Sequence, residues 1–159
     1  MSDVRMEDIE TLARRLETME AERDILRTLY RYGHCLDYGL EAEWVDCFTD
    51  NAAYEVTGLG GLEIRLQGRA ALAEFAAKHT RAPEYYHKHL IMDPMITLGK
   101  DEASSVSYFA RFDAMTTGPG VLCFGRYHDQ LIKGSDGKWR FKRRWAEVEA
   151  IAPSTTLPQ

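Results

Sequence analysis

The second half of the chain constrains the fold most. From Tyr85 onward, four long stretches carry strand-type residues: 86–98, 103–116, 120–133 and 138–151. They are divided by Gly99-Lys100-Asp101, Thr117-Gly118-Pro119-Gly120 and Ser135-Asp136-Gly137. Connections this short join antiparallel neighbours, because a parallel crossover needs about a dozen residues or more. Four long strands in a meander form a sheet that twists and curls. One face of such a sheet must be covered, and the first half of the chain has to supply the cover.

That half reads as helical, interrupted by one hairpin. Residues 4–38 contain no Pro, their only Gly is Gly33, and Glu, Arg, Leu and Met dominate, which favours a helix. Ile9, Leu12, Leu16 and Met19 form a narrow seam of coiled-coil spacing. Ile25, Leu26, Leu29, Tyr30, Gly33, Leu36 and Asp37 form the broader stripe of a helix packed on a core. The expected parts are an N-terminal arm over 1–20 and a core helix over 21–38. A partner subunit would bury the seam, so a homo-oligomer is expected, trimer before dimer. Gly39 is a helix stop. A short helix is expected over 41–48, with Trp44, Val45 and Phe48 apolar, and Thr49-Asp50-Asn51 as a turn. Ala53–Thr57 and Leu62–Gln67 alternate as strands, joined at Gly58-Leu59-Gly60-Gly61. Gly68-Arg69 opens a third helix over 70–79, and 153–159 form a tail. The expected architecture is one α+β domain over 21–152. It is a cone-shaped curved antiparallel sheet wrapped around the N-terminal helices, with a cavity on its concave side.

Composition excludes several classes. The 159 residues are 45% hydrophobic and 28% charged, with a net charge of −5, as in a folded acidic domain. No apolar run approaches the ~20 residues of a membrane helix, and MSDVRMEDIE has no signal-peptide character. Cys35, Cys47 and Cys123 are odd in number and scattered, as reduced thiols of a cytoplasmic protein are. Lys138, Arg140, Lys142, Arg143 and Arg144 interleave with Trp139, Phe141 and Trp145. Alternation makes this a strand with a basic solvated face rather than a nucleic-acid stripe. Arg143 breaks the alternation and is placed on the apolar face, to bind a substrate anion or pair with Glu147. Neither a membrane nor a nucleic acid is an expected partner.

Few residues carry chemistry. Tyr32 and Asp37 lie near the end of the core helix, about 140° apart around its axis. A buried carboxylate there needs a partner. His87 and His89 share one face of a strand, continued by Ile91 and Asp93. His-x-His also suggests a metal site, but a third ligand from His128, Asp93 or His34 is fixed by no second motif, so no metal is expected. The sharper reading pairs one His with Asp37. A carboxylate partner fixes the tautomer and favours the charged ring, which makes a competent acid or base near neutral pH. Gly58-Leu59-Gly60-Gly61 is no dinucleotide loop, because Glu63 stands where a Gly is needed and a strand follows. No nucleophile motif is present. The chemistry left is proton transfer without a cofactor.

These pieces resemble the SnoaL-like branch of the NTF2-like, cystatin-like fold. That branch includes ketosteroid isomerase, scytalone dehydratase, hexachlorocyclohexane dehydrochlorinase and bile acid 7α-dehydratase. The resemblance covers about residues 21–151. It rests on Tyr32-Gly-His-Cys-Leu-Asp37, Trp44-Val-Asp-Cys-Phe48-Thr-Asp-Asn-Ala, Gly68-Arg69-Ala-Ala-Leu72, His89-Leu-Ile-Met-Asp93-Pro-Met-Ile96 and Asp136-Gly-Lys-Trp139-Arg-Phe. It implies that His89 is a general base oriented by Asp37, with Tyr32 donating a hydrogen bond to a substrate carbonyl or departing hydroxyl. The dehydratase arginine of the last strand is replaced by Val148, leaving Arg143 or Arg111 as substitutes. Asp93 stands where many relatives have Asn. The expected function is a cofactor-independent lyase, a dehydratase of an apolar cyclic small molecule. Arg143, Asp93, Trp145 and Phe112 are its expected substrate contacts. The alternatives are an isomerase or polyketide cyclase using the same dyad, or a non-catalytic ligand-binding or assembly subunit like the small subunits of ring-hydroxylating dioxygenases.

Overall fold

The computed structural model describes residues 6–116 and 118–153. The start of the expected arm (1–5), Thr117 of the second breaker and residues 154–159 of the expected tail lie outside the described residues. Three helices and six strands follow in the order α1 (Met6–Asp37), α2 (Glu41–Val45), β1 (Phe48–Leu59), β2 (Leu62–Gln67), α3 (Gly68–Lys78), β3 (His87–Leu98), β4 (Glu102–Met115), β5 (Gly118–Lys133) and β6 (Trp139–Ile151).

Helix α1 runs unbroken through the expected arm and core helix. What changes along it is burial. Ile9, Leu12, Leu16 and Met19 are all at least half exposed, whereas Ile25, Leu29, Tyr32, Gly33, Leu36 and Asp37 are buried. The buried set recurs every three or four residues and seats the second half of the helix against β3 and β6. Gly39, at φ +68°, ends the helix, while the Leu40 N–H bonds back to the Cys35 carbonyl at 2.9 Å.

All six strands form one curved sheet in the order β2-β1-β6-β5-β4-β3. The meander β3–β6 and the β1–β2 hairpin are antiparallel as expected, but β1 and β6 pair in parallel. Phe48 begins β1 rather than ending the second helix. Thr49-Asp50-Asn51, expected as a turn, lies inside that strand, where the register with β6 slips between Phe48 and Ala53. The core fills the concave side with Trp44, Phe48, Tyr54, Leu72, Tyr127, Phe141 and the buried stripe of α1. No helix among the described residues is long and apolar enough to cross a membrane.

Candidate active site

Asp37 is the last residue of α1 and is 3% exposed. A carboxylate at a helix C-terminus opposes the helix dipole, and burial adds to the cost. Strand β3 supplies the compensation. The His89 backbone N–H donates to Asp37 Oδ2 at 3.0 Å, and the His89 ring contacts Oδ1 through Nδ1 at 2.6 Å. A carboxylate only accepts, so Nδ1 carries the hydrogen, and in the neutral ring Nε2 holds the lone pair. Burial alone would raise the Asp37 pKa. The His89 ring hydrogen bond and charge, its backbone N–H and the nearby His87 outweigh burial and hold the carboxyl below its usual value.

His87, on the same face of β3, is fully buried. Its Nε2 lies 3.3 Å from Asp37 Oδ1 but without hydrogen-bond geometry, and neither ring nitrogen has a hydrogen-bond partner among the described residues. Burial, then the charges of Arg111 and His89, push its pKa down to about 4. His79, at the C-terminus of α3, lies with its ring 5.2 Å from that of His87 and 5.8 Å from that of His89. Burial and the His89 charge push His79 down to about 4 as well.

His89 lines a mostly apolar cavity of about 90 Å³ together with Tyr32, Tyr54, Phe109, Arg111 and Tyr127. That is space for a small ring or several waters. Tyr32 and Tyr54 hydroxyls share a hydrogen bond of 2.9 Å. Burial, above all, raises both phenol pKa values well above the usual range, so the pair is a donor, with one hydroxyl hydrogen beyond the shared bond. A cleft of about 550 Å³ opens alongside, sharing Ile64, Phe75, His79 and Arg111 with the cavity.

Of the expected site residues, the structure brings Tyr32, Asp37 and His89 together. It separates the four expected substrate contacts from them. Arg143 is exposed and bonds to Glu55 at 2.9 Å. Trp145 Nε1 donates to Thr57 Oγ1, and its ring stacks on His128. The cause is a slip in the β5–β6 register between Gln130 and Leu131, which shifts the alternation of β6. Arg144, not Arg143, therefore points inward. It is fully buried, binds Asp129 through two nitrogens at 2.8 and 2.7 Å, and lies over the rings of Tyr32, Tyr127 and Phe141. Phe112 is 38% exposed, on the convex face of β4. Asp93 is exposed with φ +49°, where the β3–β4 register slips between Met92 and Met95.

Tyr54 and His79 were not among the expected site residues, and Arg111 was named only as a substitute for the dehydratase arginine. Tyr54 was legible, since Ala52, Tyr54 and Val56 alternate inward along β1. Arg111 stands opposite His89 in the β3–β4 register, which only the pairing reveals.

Asp37, His87 and His89 each offer one metal-ligand atom, all within 4.8 Å of one another. The third member is Asp37 and none of the expected His128, Asp93 and His34. His128 bonds Glu147 at 3.0 Å, and Asp93 and His34 are exposed. The 2.6 Å between Nδ1 and Oδ1 is a hydrogen-bond distance. Two ligands of one tetrahedral ion with ~2.0–2.1 Å bonds would stand about 3.3 Å apart.

A helix-filled cone of six strands, with an acid–imidazole pair beside a mostly apolar cavity, has the architecture of the NTF2-like, cystatin-like fold. More narrowly, residues 17–145 match the SnoaL-like domain, and the chain belongs to that family. Among solved structures it is similar to an NTF2-like protein with a cystatin-like fold from Novosphingobium aromaticivorans (20% identity, 98% of this chain and 96% of that one, TM-score 0.79). It is also similar to Rv3472 of Mycobacterium tuberculosis, a protein of unknown function (27%, 89% and 79%, 0.75). A third similar structure, from N. aromaticivorans, is named for an aromatic-ring-hydroxylating dioxygenase beta subunit (23%, 87% and 95%, 0.71). No curated protein sequence matches the chain.

Proposed function

We propose that the protein is a lyase that removes a proton and a β-leaving group, water in the first instance, from an apolar cyclic small molecule. One observation carries the reading: Asp37 grips both the backbone N–H and ring Nδ1 of a cavity-lining histidine. That grip fixes the tautomer and leaves Nε2 as the base. Asp37 balances the charge when Nε2 takes the proton. The Tyr32–Tyr54 pair donates its spare hydrogen to the substrate oxygen that gains charge or departs. Burial keeps both phenols protonated, which suits that role. Positioned base catalysis contributes about 10²–10⁴-fold, and the donor in a dry pocket adds to it.

The same atoms serve an isomerase or cyclase, in which the carbanion is reprotonated or attacks a carbon instead of expelling water. The test is incubation with cyclic β-hydroxy carbonyl compounds in D₂O. A dehydratase gives loss of 18 mass units. An isomerase gives deuterium incorporation without that loss. His89→Ala should abolish either signal and Asp37→Asn should reduce it by about 10²-fold or more. Full activity in His89→Ala would refute the base assignment.

A further inference from the structure

Arg111 is built for a task the proton transfer leaves unassigned. Its side chain stands on the wall shared by the cavity and the outer cleft. Its Nε and Nη2 are spent on Asp113, at 2.8 and 2.9 Å. Asp113 in turn accepts the Tyr85 hydroxyl at 2.9 Å and is 2% exposed. Both carboxylate oxygens of Asp113 are thereby occupied, and the guanidinium plane is held from one edge. Nη1 has no hydrogen-bond partner among the described residues. A guanidinium has two forks, and the one formed by Nη1 and the second hydrogen of Nη2 is open. A planar fork fits two coplanar oxygens. The other cation of the cleft, Lys78, is bound to Glu74 at 2.6 Å and is mostly exposed. The cleft walls around Arg111 are apolar: Ile64, Phe75 and Leu122.

The geometry points to a carboxylate subsite at the cavity mouth, with Arg111 binding the acid group of a substrate whose apolar ring enters the cavity. This rests on the proposed function only for what happens next, since the β3–β4 register sets Arg111 opposite His89. The substrate class narrows to ring compounds bearing a carboxylate. Asp113 and Tyr85 are positioning residues that aim the fork.

Binding is measured by calorimetry with benzoate and 2-naphthoate against benzamide and 2-naphthamide, which keep the shape without the charge. The wild-type protein should prefer each acid by about tenfold or more, as a charge-assisted pair gives. Arg111→Gln should erase the preference while leaving amide affinity within about twofold, and Arg111→Lys should restore part of it. Should Arg111→Gln not fold, the acid-over-amide ratio in the wild type and the shift of the Arg111 side-chain ¹⁵N signals on adding benzoate decide the matter. His89→Ala should keep the full acid preference, so loss of the base reading would not take this subsite with it. Equal affinity for acid and amide, a preference that survives Arg111→Gln, or no binding of either acid at millimolar concentration would each overturn the assignment.

Discussion

A side chain on Gly33 would place its Cβ 2.8 Å from the carbonyl oxygen of His89 and 3.4 Å from the His89 Cβ. The helix therefore lies backbone against backbone on β3, one turn before Asp37. That close approach is what lets a helix-terminal carboxylate reach both donors of His89. Gly33→Ala should gain some helix propensity, up to about 1 kcal/mol, and lose more to overpacking, about 1–3 kcal/mol. Chemical denaturation should show a net loss. An unchanged or higher midpoint would mean that the strand yields freely.

The lone pair assigned to His89 Nε2 is visible by NMR. At neutral pH the ¹⁵N signals should report a neutral ring with its hydrogen on Nδ1, or a fully protonated ring, and never hydrogen on Nε2 alone. Asp37→Ala should release this constraint and let the Nε2–H tautomer appear.

Stability should fall as pH drops from about 6.5 to about 4. His87 and His79 are held near 4 in the folded chain and return to about 6.5 when unfolded. Across that window the unfolded state binds more protons, so the folded state loses ground, by about 2–3 kcal/mol from His87. The loss is absent above pH 7. Asp37 is shifted in the same direction, below its usual value, and its contribution to stability disappears only at lower pH, where the folded carboxyl takes up its proton. His79→Gln should flatten the measured pH–stability curve. A curve level between 7 and 4 in the wild-type protein would contradict the burial of these rings.

Arg144 and Asp129 are both fully buried. Arg144→Met leaves a carboxylate in the core without its cation and should cost about 3–5 kcal/mol. The double variant Arg144→Met/Asp129→Leu should recover much of that loss in thermal denaturation. A double variant as unstable as the single one would place the cost in the ring contacts of Arg144 instead.

The exposed seam on α1 predicts association through the helix. Sedimentation of the intact chain should give a multimer, and removing residues 1–20 should lower its mass. The same mass after truncation would move the interface elsewhere.

The architecture was legible because its strands are long and their breakers short, and because the buried stripe of α1 keeps a helical period. Asp37 and His89 were legible as a buried acid and a strand histidine, each needing a partner. What alternation could not supply was parity beyond a bulge. One extra residue near Lys142 exchanges the faces of Arg143 and Arg144, and a similar slip turns Asp93 outward. Pairing across strands was equally hidden. Arg111 meets His89 through the register of β3 and β4, and nothing in the local sequence of either strand records that distance.

The parallel pairing of β1 with β6 bears on how the protein is born. Phe48 and Val56 find their sheet neighbours in Phe141 and Ala146, which the ribosome delivers long after the first helix has emerged. Until then the oily stripe of that helix has only part of its shelter. A nascent chain halted ahead of Trp139 should be protease-sensitive and chaperone-bound, and the chamber around His89 should take shape only in the closing moments of synthesis.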